Sequence, residues 1–127
     1  MRLLQSTLIA LLAGGLLATG VVAAPADPFK GAWVSIDVVD DSNQRLTFGG
    51  GGDTRRITLR DQDATVACGG GPAIVRGTGT ISGDSITGNL SIRCANGNEA
   101  PDAVVTFTYN SGTNTLADNF GTTWTRH

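Results

Sequence analysis

Thr65 to Gly77 reads TVACGGGPAIVRG, with Cys68 set against Gly69, Gly70, Gly71 and Pro72. Three chemistries use such a stretch. A thiol serves as a nucleophile, a thiolate holds a metal, and a glycine run cradles a phosphate through its amides. Each needs companions. A phosphate loop of Walker type ends in Gly-Lys-Ser/Thr and leads into a helix. Gly69–Pro72 does neither, and the most readable strand pattern of the chain follows it. The second glycine run, Gly49–Gly52, leads into Asp53, whose charge repels phosphate. The only histidine is His127, the final residue. It is poorly placed as the positioned base of a nucleophile, and two cysteines with one terminal histidine make a poor zinc set. No metal and no cofactor is expected.

Carboxylates remain. Asp40, Asp41, Asp53, Asp61, Asp63, Asp84, Glu99, Asp102 and Asp118 fall mostly in turn-like stretches, where Asp serves the backbone. A glycan hydrolase needs two carboxyls facing one another across a cleft, and spacing nominates no pair. Asp37, on the Trp33 side of the first strand, is the one acid expected inward. Asp40-Asp41-x-Asn43 lacks the spacing of an EF-hand loop, and a plain turn is the expected reading. No catalytic set emerges.

The two cysteines, Cys68 and Cys94, read best as a disulfide if the chain is exported. Their bond closes a loop of about 25 residues, worth about 3 kcal/mol in the chain-entropy model. Export is indicated by residues 1–24, read as a signal peptide. Arg2 precedes a glycine-broken apolar run from Leu3 to Val22, and Ala23, Ala24 and Ala26 follow, placing cleavage near 23–26. The alternative is a retained anchor, since the run approaches the roughly 20 apolar residues that span a bilayer. The small-residue ending and the lack of flanking stop-transfer charges favour removal. No stable membrane anchor then remains, and the chain is expected in the secreted, periplasmic or cell-envelope space. Residues 27–127 form one domain. A net charge of −2 gives no basic balance suited to nucleic acid.

The elements that must position these residues are short strands. Sustained helical periodicity is missing, and alternating runs recur between turns. Ala32–Val39, Arg45–Phe48, Arg55–Arg60 and Ala64–Cys68 read as the first four. Next comes a long hairpin turning at Gly83-Asp84, which pairs Ile81 with Ile86. In that register Ala73, Val75 and Ile81 share a face with Ile86, Leu90, Ile92 and Cys94, and Cys94 lies opposite Ala73. Ala103–Tyr109, Thr115–Ala117 and Thr122–Arg126 complete eight or nine strands. No connection suits a parallel crossover. The expected fold is all-β, a small antiparallel up-and-down barrel, with a two-sheet sandwich as alternative. Sixteen side chains are expected inside, among them Trp33, Leu59, Val66, Tyr109 and Trp124. They favour a filled interior, while Gly77, Gly79 and Gly88 leave possible space at one end.

Gly31-Ala32-Trp33 at the first strand and Arg126 near the end of the last resemble the calycin group: lipocalins, avidins and related small secreted barrels. That resemblance implies that Trp33 plugs one end of the barrel and that Arg126 packs across its ring. In size the chain is nearer to avidins and small secreted inhibitor barrels than to lipocalins, and it carries neither a biotin-site pattern nor an inhibitor motif.

The expected function is that of an exported, disulfide-stapled, non-catalytic binding or interaction module. Its ligand would be a small molecule, glycan or protein, met at rim loops carrying Gly69, Gly70, Gly71, Asn96, Asn98 and Glu99. Alternatives are a carboxylate-dependent enzyme such as a glycan hydrolase, or a passive cell-envelope protein without a specific ligand.

Overall fold

Successive residues of a strand point to opposite faces, and in this chain one set is apolar and the other mostly polar. A sheet patterned this way buries its apolar face by curling until its edges meet. The computed structural model describes residues 27–127; the expected leader and its cleavage site lie outside the described residues. Eight strands run in sequence order: β1 (Gly31–Ile36), β2 (Asn43–Gly49), β3 (Thr54–Asp61), β4 (Ala73–Ser82), β5 (Ser85–Cys94), β6 (Ala103–Asn110), β7 (Thr115–Asp118) and β8 (Thr123–Arg126). Each pairs antiparallel with the next. β8 closes the barrel on β1 through Trp33 opposite Arg126 and Val34 opposite Thr125. The barrel replaces the sandwich alternative.

The β4–β5 hairpin has the expected register, with Ile81 opposite Ile86 and Ala73 opposite Cys94. Gly83 adopts φ 58° at the turn, a conformation that glycine takes without strain. Its three strand glycines leave no space. A Cβ on Gly77 would stand 2.7 Å from Leu90 Cδ2, and one on Gly88 would stand 2.7 Å from the Thr78 carbonyl oxygen. Neighbouring side chains and backbone already occupy those volumes.

Trp33, Leu46, Phe48, Ile57, Ile86, Leu90, Val105, Phe107, Leu116 and Trp124 form the core. Leu59, Val75, Ile81 and Tyr109 pack against it at partial exposure. Phe48 meets Phe107 edge-on at 5.5 Å, and Phe107 meets Trp124 at 6.2 Å, so an aromatic series runs along the barrel. An apolar interior and a polar wall are the reverse of a barrel built to span a membrane.

Three expectations require correction. Ala64–Cys68 is not a strand: Thr65–Cys68 is one helical turn, α1, capped by Gly69 in the left-handed region, and Val66 faces solvent at 80% exposure. The register explains why. Asp61 lies directly opposite Ala73, so residues 62–72 must return almost to their starting point. An extended run of five residues would carry the chain about 16 Å away. β1 stops at Ile36 rather than Val39, because Asp37 begins a turn. Its Oδ1 accepts from the Val39 amide at 2.7 Å, and its carbonyl accepts from the Asp41 amide at 3.0 Å. The core also includes Phe29, and the inward face of β3 carries buried Arg55 and Asp61 beside Ile57.

Candidate functional site

The two ends of the barrel differ in construction. At one end the segment Asp27–Lys30 lies as a strap across the opening. Phe29 sits edge-on to Phe48, with ring centroids 5.7 Å apart. The Trp33 indole donates to the Phe29 carbonyl at 3.1 Å. Arg126 lies over the Trp33 ring, Cζ 4.3 Å from its centroid, and donates to the Lys30 and Pro28 carbonyls at 2.7 Å each. Buried Arg55 pairs with Asp27 at 2.7 Å and also donates to the Gly52 carbonyl. A cation over an indole, two charged donors on carbonyls and a largely buried ion pair all hold the same four residues. This end is shut.

The opposite end carries the corner around Cys68. Cys68 and Cys94 are joined, with Cα atoms 5.6 Å apart. α1 brings Cys68 to the barrel rim, and the Ala73–Cys94 pairing brings Cys94 to the same rim. Asn96 and Asn98 complete the corner from the β5–β6 loop. Asn96 Nδ2 donates to the Cys68 and Gly70 carbonyls at 2.9 and 3.0 Å, and Asn98 Nδ2 donates to the Cys68 carbonyl at 2.8 Å. Their side-chain donors hold one loop to another. Gly69, Gly70 and Gly71 all take positive φ within the corner. Glu99 is exposed and forms a lone backbone bridge to Arg93.

The acids of this rim are organised by the same logic. Asp61 accepts from the Ser42 hydroxyl at 3.0 Å and from the Asp63 amide at 3.0 Å. Asp63 accepts from the Gly71 amide at 2.8 Å. Gln44 Nε2 donates to Asp37 at 3.0 Å and to Asp61 at 3.2 Å. Asp37 and Asp61 are thus the two carboxylates that converge. An amide, not an open cleft, fills the space between them, where a glycosidase would need to admit a sugar. Asp40 accepts from the Thr65 hydroxyl at 2.8 Å and from the Ser42 amide at 2.9 Å. Hydrogen bonds from Ser42 and then Thr65 hold its pKa at about 2. Asp118 accepts from the Phe120 and Thr122 amides and from the Trp124 indole, at 2.9, 3.0 and 3.0 Å.

These carboxylates tie down loops whose tips are apolar. Val38 is 68% exposed, Val39 60%, Val66 80% and Phe120 62%. The tips occupy the β1–β2 loop, α1 and the β7–β8 loop, all at the end opposite the strap. Sequence reasoning assigned Val38 and Val39 to a strand and Val66 to the core, so it missed this feature. The usable signal was the acid on either side of Val38-Val39, since Asp37 and Asp40 are turn formers. Among the described residues no group of three or more His, Cys, Asp or Glu side chains is arranged to hold a metal ion. No protein-family model, curated protein or solved structure matches the chain.

Proposed function

We propose that this protein is an exported, non-catalytic binding module of calycin-like architecture, and that its contact surface is the stapled rim. The observation that carries this reading is the contrast between the ends. One is shut by a strap and a cation over an indole. The other displays Val38, Val39, Val66 and Phe120 on loops fixed by a disulfide and by side-chain-to-backbone bonds. Apolar tips held rigid lose little conformational freedom on docking, which favours affinity. Exposed aliphatic and aromatic groups ringed by Asp37, Asp40, Asp41, Asp63 and Glu99 suit a protein partner with an apolar crevice and basic flanks. The disulfide supports an oxidising compartment outside the cytoplasm.

Photo-crosslinking from Val38 and Phe120 in the exported protein tests the reading, with Thr87 on the outer wall as the control. Discrete adducts are expected from the two rim positions and not from Thr87. Equal labelling from all three, or none from the rim, would count against the rim as the contact surface.

A further inference from the structure

Arginine supplies eight of the nine basic residues in the chain, and the fold sorts the seven that lie among the described residues. Arg45, Arg56, Arg60, Arg76 and Arg93 are all exposed on the outer faces of four consecutive strands, β2 to β5. The register sets their arrangement. Arg45 lies opposite Arg60, Arg60 opposite Ile74, and Ile74 opposite Arg93. These four form one row across the wall, stepping about 4.8 Å per strand. The next row is Thr47, Thr58, Arg76 and Ser91; the one after it is Gly49, Arg56, Thr78 and Asn89. Arg76 therefore has Arg56, Arg60 and Arg93 as diagonal neighbours, at about 7–8 Å.

No internal partner explains the cluster. Among the described residues the only ion pair is Arg55 with Asp27, at the strapped end. Glu99, bridged to Arg93 through the backbone, forms no ion pair with it. Like charges placed directly opposite, as in Arg45 and Arg60, destabilise a sheet. A chain of net charge −2 thus keeps a cationic wall at a cost to its own stability.

The wall is also grooved. A groove of about 930 Å³ runs along Val34, Arg45, Arg60 and Thr125. A second, of about 640 Å³, is lined by Arg60, Ile74 and Arg93. A cleft of about 150 Å³ lies among Ile74, Arg76, Ser91 and Arg93. Shared residues link the three into one course around the barrel.

We propose that this wall binds an acidic polysaccharide, a chain of sugars bearing carboxylate or sulfate groups. Guanidinium forks match both anions in bidentate geometry. Thr47, Thr58, Asn89 and Ser91, interleaved with the arginines, offer partners for sugar hydroxyls. The strands concerned span half the circumference of an eight-stranded barrel. A flexible chain can follow that curvature, whereas a flat bilayer touches only part of it. Single-stranded nucleic acid needs aromatic stacking platforms. The aromatic residues of the described chain lie in the core, at the strapped end or at the rim tip instead.

Calorimetric titration of the full exported protein tests the proposal. The probes are polygalacturonate and dextran sulfate, with neutral dextran, phosphatidylglycerol vesicles and an oligothymidylate for comparison. Saturable binding is expected to at least one acidic polysaccharide and not to neutral dextran, weakening as salt is added. Preference between the two acidic polymers assigns carboxylate or sulfate. The triple variant R60Q/R76Q/R93Q is expected to weaken binding by about tenfold or more, with its melting temperature unchanged or raised. R76Q alone removes the central charge and gives a smaller loss, so the test stands if the triple variant misfolds. V66S, at a rim tip outside all three grooves, leaves this binding unchanged, which separates it from any failure of the rim reading. Absence of binding, insensitivity to the arginine variants, or equal or tighter binding to vesicles or oligothymidylate would overturn the proposal.

Discussion

Gly79 faces Gly88 across β4 and β5. A Cβ added at Gly79 would stand 2.7 Å from both Ile57 Cδ1 and Ile86 Cγ1. Ile57 and Ile86 are both fully buried, so neither can move aside without displacing the core. Gly79→Ala is therefore expected to destabilise the barrel by about 1–3 kcal/mol through overpacking, read as a lower urea midpoint. An unchanged midpoint would mean the interior holds slack at this point. Asp40 acts at the same scale through charge. Its pKa falls from 3.8 to about 2 because hydrogen bonds from Ser42 and Thr65 favour the ionised form. A depressed carboxyl contributes fully above its ordinary value, and the contribution fades as pH falls towards the folded-state value. The Thr65 and Ser42 amide resonances should therefore shift together between about pH 4 and pH 2. Asp40→Asn should remove that step, and its persistence in the variant would assign it to another acid.

The corner between β3 and β4 makes one element from pieces that are weak alone. A single helical turn has no independent stability, because nucleation costs more than one turn returns. α1 persists because Cys68 is bonded to Cys94 and because its last carbonyl accepts from both Asn96 and Asn98. Removing the staple in C68S/C94S should cost about 3 kcal/mol in urea unfolding, chiefly by releasing the unfolded chain. The β4–β5 hairpin should survive the change, since its pairing extends to Ser82 opposite Ser85, far from the sulfurs. Loss of hairpin amide protection before global unfolding would contradict that separation. The strand expected over Ala64–Cys68 failed for a related reason. Five residues of alternating size are compatible with either conformation. The tie was broken by the distance the loop had to span, a property of β3 and β4 rather than of the loop.

Across the whole molecule, three surfaces carry three chemistries: a shut end, a rim of apolar tips on acid-tied loops, and an arginine wall. Alternation and turn residues made the barrel and its central hairpin register readable from the chain. The same alternation put Arg56, Arg60, Arg76 and Arg93 on outward faces. It gave no sign that they formed one patch, because neighbours on a wall come from strands many residues apart. The rim tips were hidden differently. Val38, Val39 and Val66 are apolar, and hydropathy alone assigns such residues inward. Burial requires another surface to cover them, and at the end of a barrel there is none.

Sequence by itself determined what depends on near neighbours: strand alternation, the two-residue turn at Gly83-Asp84, and the cysteine pair as a staple. These are local matters of backbone sterics and side-chain period. Tertiary structure decided what depends on how strands pair. With β8 on β1, Arg126 reached the Pro28 and Lys30 carbonyls and Phe29 became a plug. Pairing from β1 to β5 brought Asp37 and Asp61 onto one amide and set five arginines separated in sequence side by side. Pairing fixes distances between residues that the chain leaves apart, and those distances set which charges and apolar groups a partner would meet together.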